Sequence, residues 1–398
     1  METGAGSACN MDMANTGSDE LCKSASNQAE EGFHYMFSMT CKADSIGGAL
    51  KTPAGRKKVI EWMRNHSVRK VWLEVYRHGR ESDLDTLREA RDDFQKAGIE
   101  VAGCITPTTR NYASLLECAG IPENYELFAR LSEKAAFLFD LVILDDFLFT
   151  HCTCPVCTKL KGNDTWEEFR MRSLRELGRR YVLEPAKRVN PNVRIILKYP
   201  CWYDNFCNGG YDVAGDTEEY DGVWIGTETR EPQSKHAGRI PQAQASWIAG
   251  WMNEVAGKKC GGAWLDPIDT LPETYVEQAR ETILGGARET LLHCFDCLGA
   301  DDPGIVLHGT DQNMANGHAD AEAFRQEADA LAKLAALVHG RRILGIDTPK
   351  ALRDPVGDGD LCGFAGMLGI PVLPACREKD RVPRISKVPG SRSRAQTA

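Results

Sequence analysis

The sequence lacks several features that would assign it to a common class of protein. No apolar run among its 398 residues approaches the ~20 needed for a membrane-spanning helix. Basic charge is not in surplus, because 57 acidic residues outnumber 48 basic ones, so no nucleic-acid partner is expected. The N-terminal stretch has neither the basic nor the apolar segment of a secretory signal, which predicts a cytoplasmic location.

A disulfide framework and the common phosphate and metal motifs are also missing. The 15 cysteines are odd in number and scattered, and several lie in apolar strands, a pattern typical of reduced thiols. No GxGxxG or GxxxxGK turn follows an early strand, and no HExxH pattern is present. The composition, with 42% hydrophobic and 26% charged residues, is that of a globular protein with a sizeable core.

What the sequence does contain is a regular alternation of strands and helices. Strands are predicted at 33–41, 68–76, 99–106, 140–146, 193–199, 222–229, 261–266 and 289–296. Helices are predicted between them, the clearest at 55–66, 83–97, 124–139, 165–188, 242–256, 272–286 and 319–338. This rhythm predicts an α/β fold of the (β/α)8 TIM-barrel type. The alternative is an open doubly wound sheet, which would usually place a Gly-rich phosphate turn after an early strand.

Composition divides the chain into four predicted parts. Residues 1–30 are rich in Ser, Gly, Asn and Glu and are predicted to be disordered, and residues 31–345 form the barrel. Residues 346–376 have the pattern of a second α/β unit that is started but not completed. Residues 377–398 are basic, lack apolar periodicity and are predicted to be a disordered tail.

Ionisable groups stand where most of the predicted strands end. In a barrel the carboxyl ends of the strands carry the active site, so these groups are expected to converge there. Aromatic residues beside them could line a substrate pocket. The candidate substrate-binding residues are Glu74, Arg77, Asp145, Lys198, Trp202, Tyr203, Arg230, Trp264, His293 and Asp296.

Three further acids, Asp146, Glu228 and Asp266, are the candidate catalytic residues. Glu228 shares a strand face with Gly226, and Asp266 shares one with Trp264, so both acids could point into the barrel mouth. Parity does not choose between the two acids of strand four, and Asp146 is preferred because it is nearer the loop. Each acid taken alone is more readily explained as a helix cap or an ion-pair partner than as a catalytic group. Together they match the paired carboxylates of a glycosidase.

The loop after strand four carries three closely spaced thiols, those of Cys152, Cys154 and Cys157. A Cys-Pro-x-Cys turn can aim two thiolates at one metal, which makes these residues candidate ligands of a structural zinc. A fourth ligand would have to come from elsewhere, and His151, Cys201 and Cys207 are the candidates. The alternative is three reduced cysteines in a packed loop. No cofactor is expected to be required for catalysis.

Four segments, LDDFLF, KYPCWYDNF, GTETR and GAWLD, resemble those of TIM-barrel glycoside hydrolases, over about residues 33–340. The resemblance implies an acid/base at the end of strand four and a nucleophile at the end of strand seven, which fall on Asp146 and Asp266. The chain departs from the commoner pattern, because strand four ends in Asp-Asp rather than Asn-Glu and strand seven ends in Asp rather than Glu. Glu228 has no role in that scheme.

The sequence thus favours a glycoside hydrolase that cleaves a small-molecule or oligosaccharide substrate, without a nucleic-acid or membrane partner. Two alternatives stay open. One is a metal-dependent barrel hydrolase or isomerase that holds an ion with His293, Asp296 and the acids of strand four. The other is a carbohydrate-binding barrel without turnover. The sugar, the linkage, the stereochemistry and the oligomeric state are not predicted.

Overall fold

The structure, a computed structural model, describes residues 34–202, 206–230, 240–299, 316–341, 344–349, 359–370 and 372–375. The segments predicted to be disordered, 1–30 and 377–398, lie outside the described residues, as does Tyr203. Of the helices in the described ranges, none is both long and apolar enough to cross a bilayer.

Eight parallel strands form a closed barrel. Each strand pairs with the next along the chain, and the last pairs with the first, which leaves no open edge between them. This arrangement confirms the predicted (β/α)8 fold and excludes the open sheet. The strands are β1 (Met36–Cys41), β2 (Lys70–Arg77), β3 (Glu100–Ile105), β4 (Leu141–Leu144), β5 (Arg194–Tyr199), β6 (Gly222–Gly226), β7 (Cys260–Leu265) and β8 (Glu289–Leu292).

Helices connect the strands and cover the outside of the barrel. In the described ranges they are α1 (Ala43–Gly47), α2 (Pro53–Asn65), α3 (Leu84–Lys96), α4 (Pro122–Leu138), α5 (Pro155–Lys161), α6 (Trp166–Gly178), α7 (Glu184–Val189), α8 (Phe206–Gly209), α9 (Val213–Glu219), α10 (Gln244–Ala256), α11 (Pro272–Leu284), α12 (Phe295–Leu298) and α13 (Gly317–Val338). Two short 3₁₀ turns, Ala49–Lys51 and Gly257–Lys259, and a two-residue strand, Arg80–Glu81, complete the connections.

Local sequence signals explain where several helices begin. Asp83 accepts a hydrogen bond from the Thr86 backbone N–H at the start of α3. Thr165 and Glu168 form a reciprocal capping box at the start of α6. The helix predicted over 165–188 is not uniform, because a π-helical turn at Arg179–Leu183 separates α6 from α7. Pro185 lacks an N–H and cannot continue an α-helical ladder, which accounts for the wider turn.

The inside of the barrel is filled by large side chains, and Trp72, Trp224 and Trp264 belong to one buried cluster. The rings of Trp72 and Trp224 meet edge to face at 5.3 Å. At the amino-terminal end of the strands, Lys70 Nζ donates to Glu289 Oε2 at 2.8 Å. The barrel therefore has a packed interior, with an ion pair between two strands at its lower end, and the fold places the expected active site at the opposite end.

The segment after the barrel consists of two short parallel strands and a helix, β9 (Ile346–Pro349), α14 (Gly359–Met367) and β10 (Val372–Ala375). It packs on α10. Apolar side chains of this segment remain exposed, among them Phe364, Met367 and Leu368. That it begins a larger α/β unit stays a prediction.

Candidate functional site

The candidate acids lie together at the carboxyl end of the barrel. Asp145 and Asp146 directly follow β4, Glu228 comes two residues after β6, and Asp266 directly follows β7. Lys198 is the next-to-last residue of β5, and β5 lies between β4 and β6 in the barrel. Because the strands are parallel, their ends surround one opening.

The Lys198 ammonium joins acids from two different strands. Its Nζ donates to Asp146 Oδ2 at 2.6 Å, to Glu228 Oε1 at 2.7 Å and to Asp145 Oδ1 at 3.3 Å. The side chain of Lys198 is only 2% exposed, and its Nζ lies 4.7 Å from the centre of the Trp264 ring. Two of the three predicted catalytic acids, Asp146 and Glu228, are therefore held around one cation.

A glycine makes room for the Glu228 carboxylate. A Cβ atom at Gly226 would lie 2.5 Å from Glu228 Oε2, closer than atoms can approach without movement. The carboxylate therefore folds back over the end of β6 onto the face that Gly226 leaves open. This agrees with the strand parity expected from the sequence.

A second buried network supports Asp145 from beneath. Arg77 donates from Nε to Glu74 Oε1 at 2.8 Å and from Nη2 to Asp145 Oδ2 at 3.1 Å. The hydroxyl of Thr106 lies 2.6 Å from Glu74 Oε1 and 3.1 Å from Asp145 Oδ2. The backbone N–H of Ala43 donates to Glu74 Oε2. Glu74 is fully buried, so in this structure it supports the site and has no surface open to a substrate.

Thr106 was not among the residues predicted for the site, although a signal was present. It directly follows β3, as Asp145 directly follows β4. The signal is a neutral hydroxyl at the end of a strand, where the prediction counted ionisable and aromatic groups.

Asp266 is paired with a different cation. Arg230 donates to it from Nε at 3.1 Å and from Nη2 at 2.8 Å, a two-pronged contact, and the Ile268 N–H donates to Asp266 Oδ1 at 3.0 Å. Asp266, a predicted catalytic residue, and Arg230, a predicted substrate-binding residue, are therefore in direct contact at the mouth of the barrel.

His293 directly follows β8 and Asp296 lies three residues further on, and both contact residues near the carboxyl end of β1. The His293 Nδ1 lies 3.0 Å from the Thr40 hydroxyl, and its ring stacks on Trp264. Asp296 Oδ2 accepts a hydrogen bond from Ser45. Burial lowers the pKa of His293 well below its usual range, with help from nearby cations, so this imidazole is neutral.

The acids around Lys198 titrate differently because their surroundings differ. Burial raises the pKa of Glu228 to about 7, with Lys198 opposing and Asp146 adding to the shift. Burial also raises the pKa of Asp146 against the attraction of Lys198. For Asp145, Lys198 and Arg77 together outweigh burial and lower the pKa. The site therefore contains an acid that stays ionised, Asp145, beside one that burial favours in its protonated form, Glu228.

Of the predicted aromatic substrate-binding residues that the structure describes, only Trp202 has an exposed surface. Trp264, predicted to bind substrate, is 2% exposed and lies under Lys198, and Trp224 is equally buried, so neither ring offers an open face to a sugar. Trp202 is partly exposed, and its ring centre lies 5.8 Å from that of Tyr211. The Tyr211 hydroxyl donates to the Asp146 carbonyl at 2.7 Å, which ties Trp202 to the acid site.

A cavity of about 450 Å³ opens beside these rings. It is lined by Trp202, His151, Arg170 and Asn208. Arg170 is held in place by two backbone carbonyls, donating from Nη1 to Asn208 O at 2.9 Å and from Nη2 to His151 O at 3.3 Å. The cavity thus combines an apolar ring with polar groups, the mixture that small polar ligands require.

The predicted thiol cluster is present, but its fourth member differs from the candidates. The structure places four sulfur atoms within 4.8 Å of one another, those of Cys118, Cys152, Cys154 and Cys157. The suggestion that His151, Cys201 or Cys207 completes the set is wrong. Cys118 follows β3, which neighbours β4 on one side, whereas Cys201 and Cys207 follow β5, its neighbour on the other side.

Comparisons with known proteins identify the family of this chain. The profile of the family described as "probable glycosyl hydrolase, catalytic domain" matches residues 23–320, well over half of the chain. A curated relative, an uncharacterized protein of Saccharolobus solfataricus, is 28% identical over 239 residues. That alignment covers 53% of this chain and 39% of the relative, so the chain spans less than half of the relative's length.

Similar solved structures include GH5_18 from Bifidobacterium longum subsp. longum, with a TM-score of 0.57, 10% identity, and coverage of 86% of this chain and 92% of the other. Alpha-L-fucosidase isoenzyme 2 from Paenibacillus thiaminolyticus has a TM-score of 0.56 and 12% identity, and the match covers 87% of this chain and 58% of the fucosidase chain. The PgaB (BpsB) glycoside hydrolase domain from Bordetella bronchiseptica has a TM-score of 0.50 and 12% identity, and the match covers 73% of this chain and 98% of that domain. At such identities these likenesses concern the fold alone. The family match goes further: the chain belongs to the probable glycosyl hydrolase catalytic-domain family, as its resemblance to TIM-barrel glycoside hydrolases predicted.

Proposed function

We propose that the protein hydrolyses a glycosidic bond with retention of configuration, using Glu228 as the proton donor and Asp146 as the nucleophile. One observation carries the proposal, namely that both carboxylates contact the same Lys198 Nζ, at 2.7 and 2.6 Å. Their nearest oxygens cannot be farther apart than the sum of these distances. That sum is below the roughly 6.5–9.5 Å of inverting enzymes and within reach of the roughly 5–5.5 Å of retaining ones.

The choice of Glu228 as donor follows from charge balance at the mouth. Five carboxyl groups meet three cations there, namely Glu74, Asp145, Asp146, Glu228 and Asp266 against Arg77, Lys198 and Arg230. A buried site cannot hold so large an excess of negative charge without taking up protons. Glu228, with a pKa of about 7, is a suitable group to hold one and release it during the reaction.

Asp146 is the better placed nucleophile of the pair. Its side chain is 17% exposed against 7% for Glu228, and the short Lys198 contact stabilises its charge. In the first step an Asp146 oxygen bonds to the anomeric carbon while the glycosidic C–O bond breaks and the Glu228 proton passes to the leaving oxygen. In the second step water attacks that carbon, gives its proton to Glu228 and releases the Asp146 carboxylate.

Asp266 takes a supporting role in this scheme, in contrast to the nucleophile role implied by the resemblance. Both of its oxygens are engaged by Arg230, and its charge helps to raise the pKa of Glu228. We therefore assign Asp266 as a positioning residue. We further propose that a sugar ring of the substrate lies against Trp202 in the cavity that this ring lines.

The test measures hydrolysis of a panel of aryl glycosides by the wild-type chain and by the variants Glu228→Gln and Asp146→Asn. Loss of either group should lower kcat by about 10²–10⁴-fold, and nuclear magnetic resonance should show the product sugar in the anomeric form of the substrate. A matched control is Glu289→Gln, which also alters a buried glutamate that pairs with a lysine, but at the closed end of the barrel.

Several outcomes would contradict the proposal. Full activity in both variants would remove Glu228 and Asp146 from the chemistry, and an inverted product would exclude Asp146 as nucleophile. A wild-type chain that binds sugars but hydrolyses no glycoside would favour the carbohydrate-binding alternative. The metal-dependent alternative requires an ion held by His293 and Asp296. Among the residues that the structure describes, the one group whose ligand atoms lie close enough together to hold a metal is the thiol cluster, which contains neither residue.

A further inference from the structure

Outside the acid site, the most concentrated group of reactive side chains is the thiol cluster of Cys118, Cys152, Cys154 and Cys157. The cluster draws on two loops, since Cys118 lies in the connection from β3 to α4 and the others lie between β4 and α6. The Sγ atoms of Cys118 and Cys154 are 3.6 Å apart, and all four sulfurs lie within 4.8 Å of one another. A disulfide needs about 2.05 Å, so the thiols are close but not bonded.

We propose that these four cysteines bind one Zn²⁺ ion as thiolates. Zinc with four sulfur ligands is tetrahedral, with Zn–S distances near 2.3 Å, which sets neighbouring sulfurs about 3.8 Å apart. The observed spacing needs only small side-chain movements to reach that geometry. Four thiolates fill the coordination shell and leave no position for water or substrate, so the ion is structural.

The local backbone is suited to this role. Cys154 caps the amino terminus of α5 with Pro155 in the first turn, and Cys157 follows one turn later, so both sulfurs face the same side. On the other loop, the backbone N–H of Gly120 donates to Cys118 Sγ at 3.3 Å. An N–H directed at sulfur stabilises the negative charge that a thiolate ligand carries.

The ion would join the loop that carries His151, a residue that lines the proposed substrate cavity, to the loop that carries Cys118. Next to the cluster, the Thr150 hydroxyl donates to the Glu117 carbonyl at 2.5 Å, and the His151 N–H donates to Glu117 Oε1 at 2.9 Å. His151 lines the cavity beside Trp202. Zinc therefore fixes one wall of the cavity while taking no part in bond cleavage.

The first experiment measures metal content by mass spectrometry in the full chain, purified without added metal. We expect about one zinc per chain in the wild type, and a loss of most of it in Cys118→Ser and Cys154→Ser. Cys201→Ser is the matched control, since Cys201 is a partly exposed cysteine outside the cluster and the variant should keep its zinc. Zinc-free wild-type protein, or full zinc content in Cys118→Ser, would overturn the proposal.

A second measurement does not depend on whether the variants fold. Chelation of the native wild-type chain should increase the number of thiols that react with a chromogenic reagent by four, and cobalt added afterwards should produce thiolate-to-metal charge-transfer absorption. An unchanged thiol count, or a disulfide found by mass spectrometry between any two of the four, would contradict zinc binding. Metal content and thiol counts do not involve turnover, so they are independent of the proposed glycosidase mechanism.

Discussion

Replacing Glu228 by glutamine should make the protein more stable at alkaline pH even as it removes activity. Glu228 is 5% exposed, and burial raises the pKa of its carboxyl group from 4.5 to about 7. A glutamine side chain at this position would fill the same space and could still accept a hydrogen bond from Lys198, but it cannot ionise. The substitution therefore removes one titration from the folded protein and changes little else in its packing.

The magnitude follows from the difference between the two pKa values. Between pH 4.5 and 7 the folded chain keeps a proton on Glu228 that the unfolded chain has released, so wild-type stability falls as the pH rises through this interval. Each pKa unit corresponds to about 1.4 kcal/mol. The difference in the free energy of unfolding between Glu228→Gln and the wild type should therefore shift by about 2–3 kcal/mol in favour of the variant as the pH rises from about 5 to 8.

Chemical denaturation of both proteins at a series of pH values would measure this gain. Asp145→Asn supplies a comparison of opposite sign, because Lys198 and Arg77 lower the pKa of Asp145, and its ionised form stabilises the fold once the pH exceeds the unfolded value. The free energy of unfolding of Asp145→Asn should therefore fall relative to that of the wild type as the pH rises from the acid range. A Glu228→Gln curve parallel to the wild-type curve would refute the raised pKa and, with it, the choice of proton donor.

Two further predictions concern activity. The value of kcat/KM should fall above about pH 7, because Glu228 must be protonated to act as donor; a rate that keeps rising through pH 8 would assign another group. Gly226→Ala should lower kcat by at least about 10-fold, since the new Cβ displaces the Glu228 carboxylate by close contact. Gly47→Ala, where an added Cβ meets no atom within 4 Å, should retain full activity, and equal losses in both would contradict this reasoning.

Much of the fold could be read from the sequence because its signals are local. The buried run that became Leu141–Leu144 stops at two carboxylates, and a parallel barrel strand must end at polar groups when it reaches the mouth. Asp83 and Thr165 marked helix starts through bonds to residues three positions away. Such features depend on neighbours in sequence and are therefore visible without the structure.

The site was less visible because its contacts are long-range in sequence. Lys198 meets Asp146 and Glu228 from positions 52 and 30 residues away, and no local pattern encodes that meeting. Strand parity gave the face of each side chain but not its depth in the barrel. Trp224 lies four residues before Glu228, about 13 Å lower at the usual rise per residue, and this depth makes it part of the core.

The surroundings of the three acids explain why the proposed proton donor is Glu228 and not one of the two acids of strand four, on which the sequence focuses attention. Asp145 has two cations in contact and stays ionised, so it has no proton to give. Asp146 has the shortest contact with Lys198 and is the more exposed member of the pair. Glu228 shares that single ammonium with both of them and is almost fully buried, so the excess proton of the site resides there. Lys198, which contacts all three carboxylates, and Arg77, which contacts one of them, thus leave Asp145 as an ionised support, with Asp146 as the proposed nucleophile and Glu228 as the proposed acid.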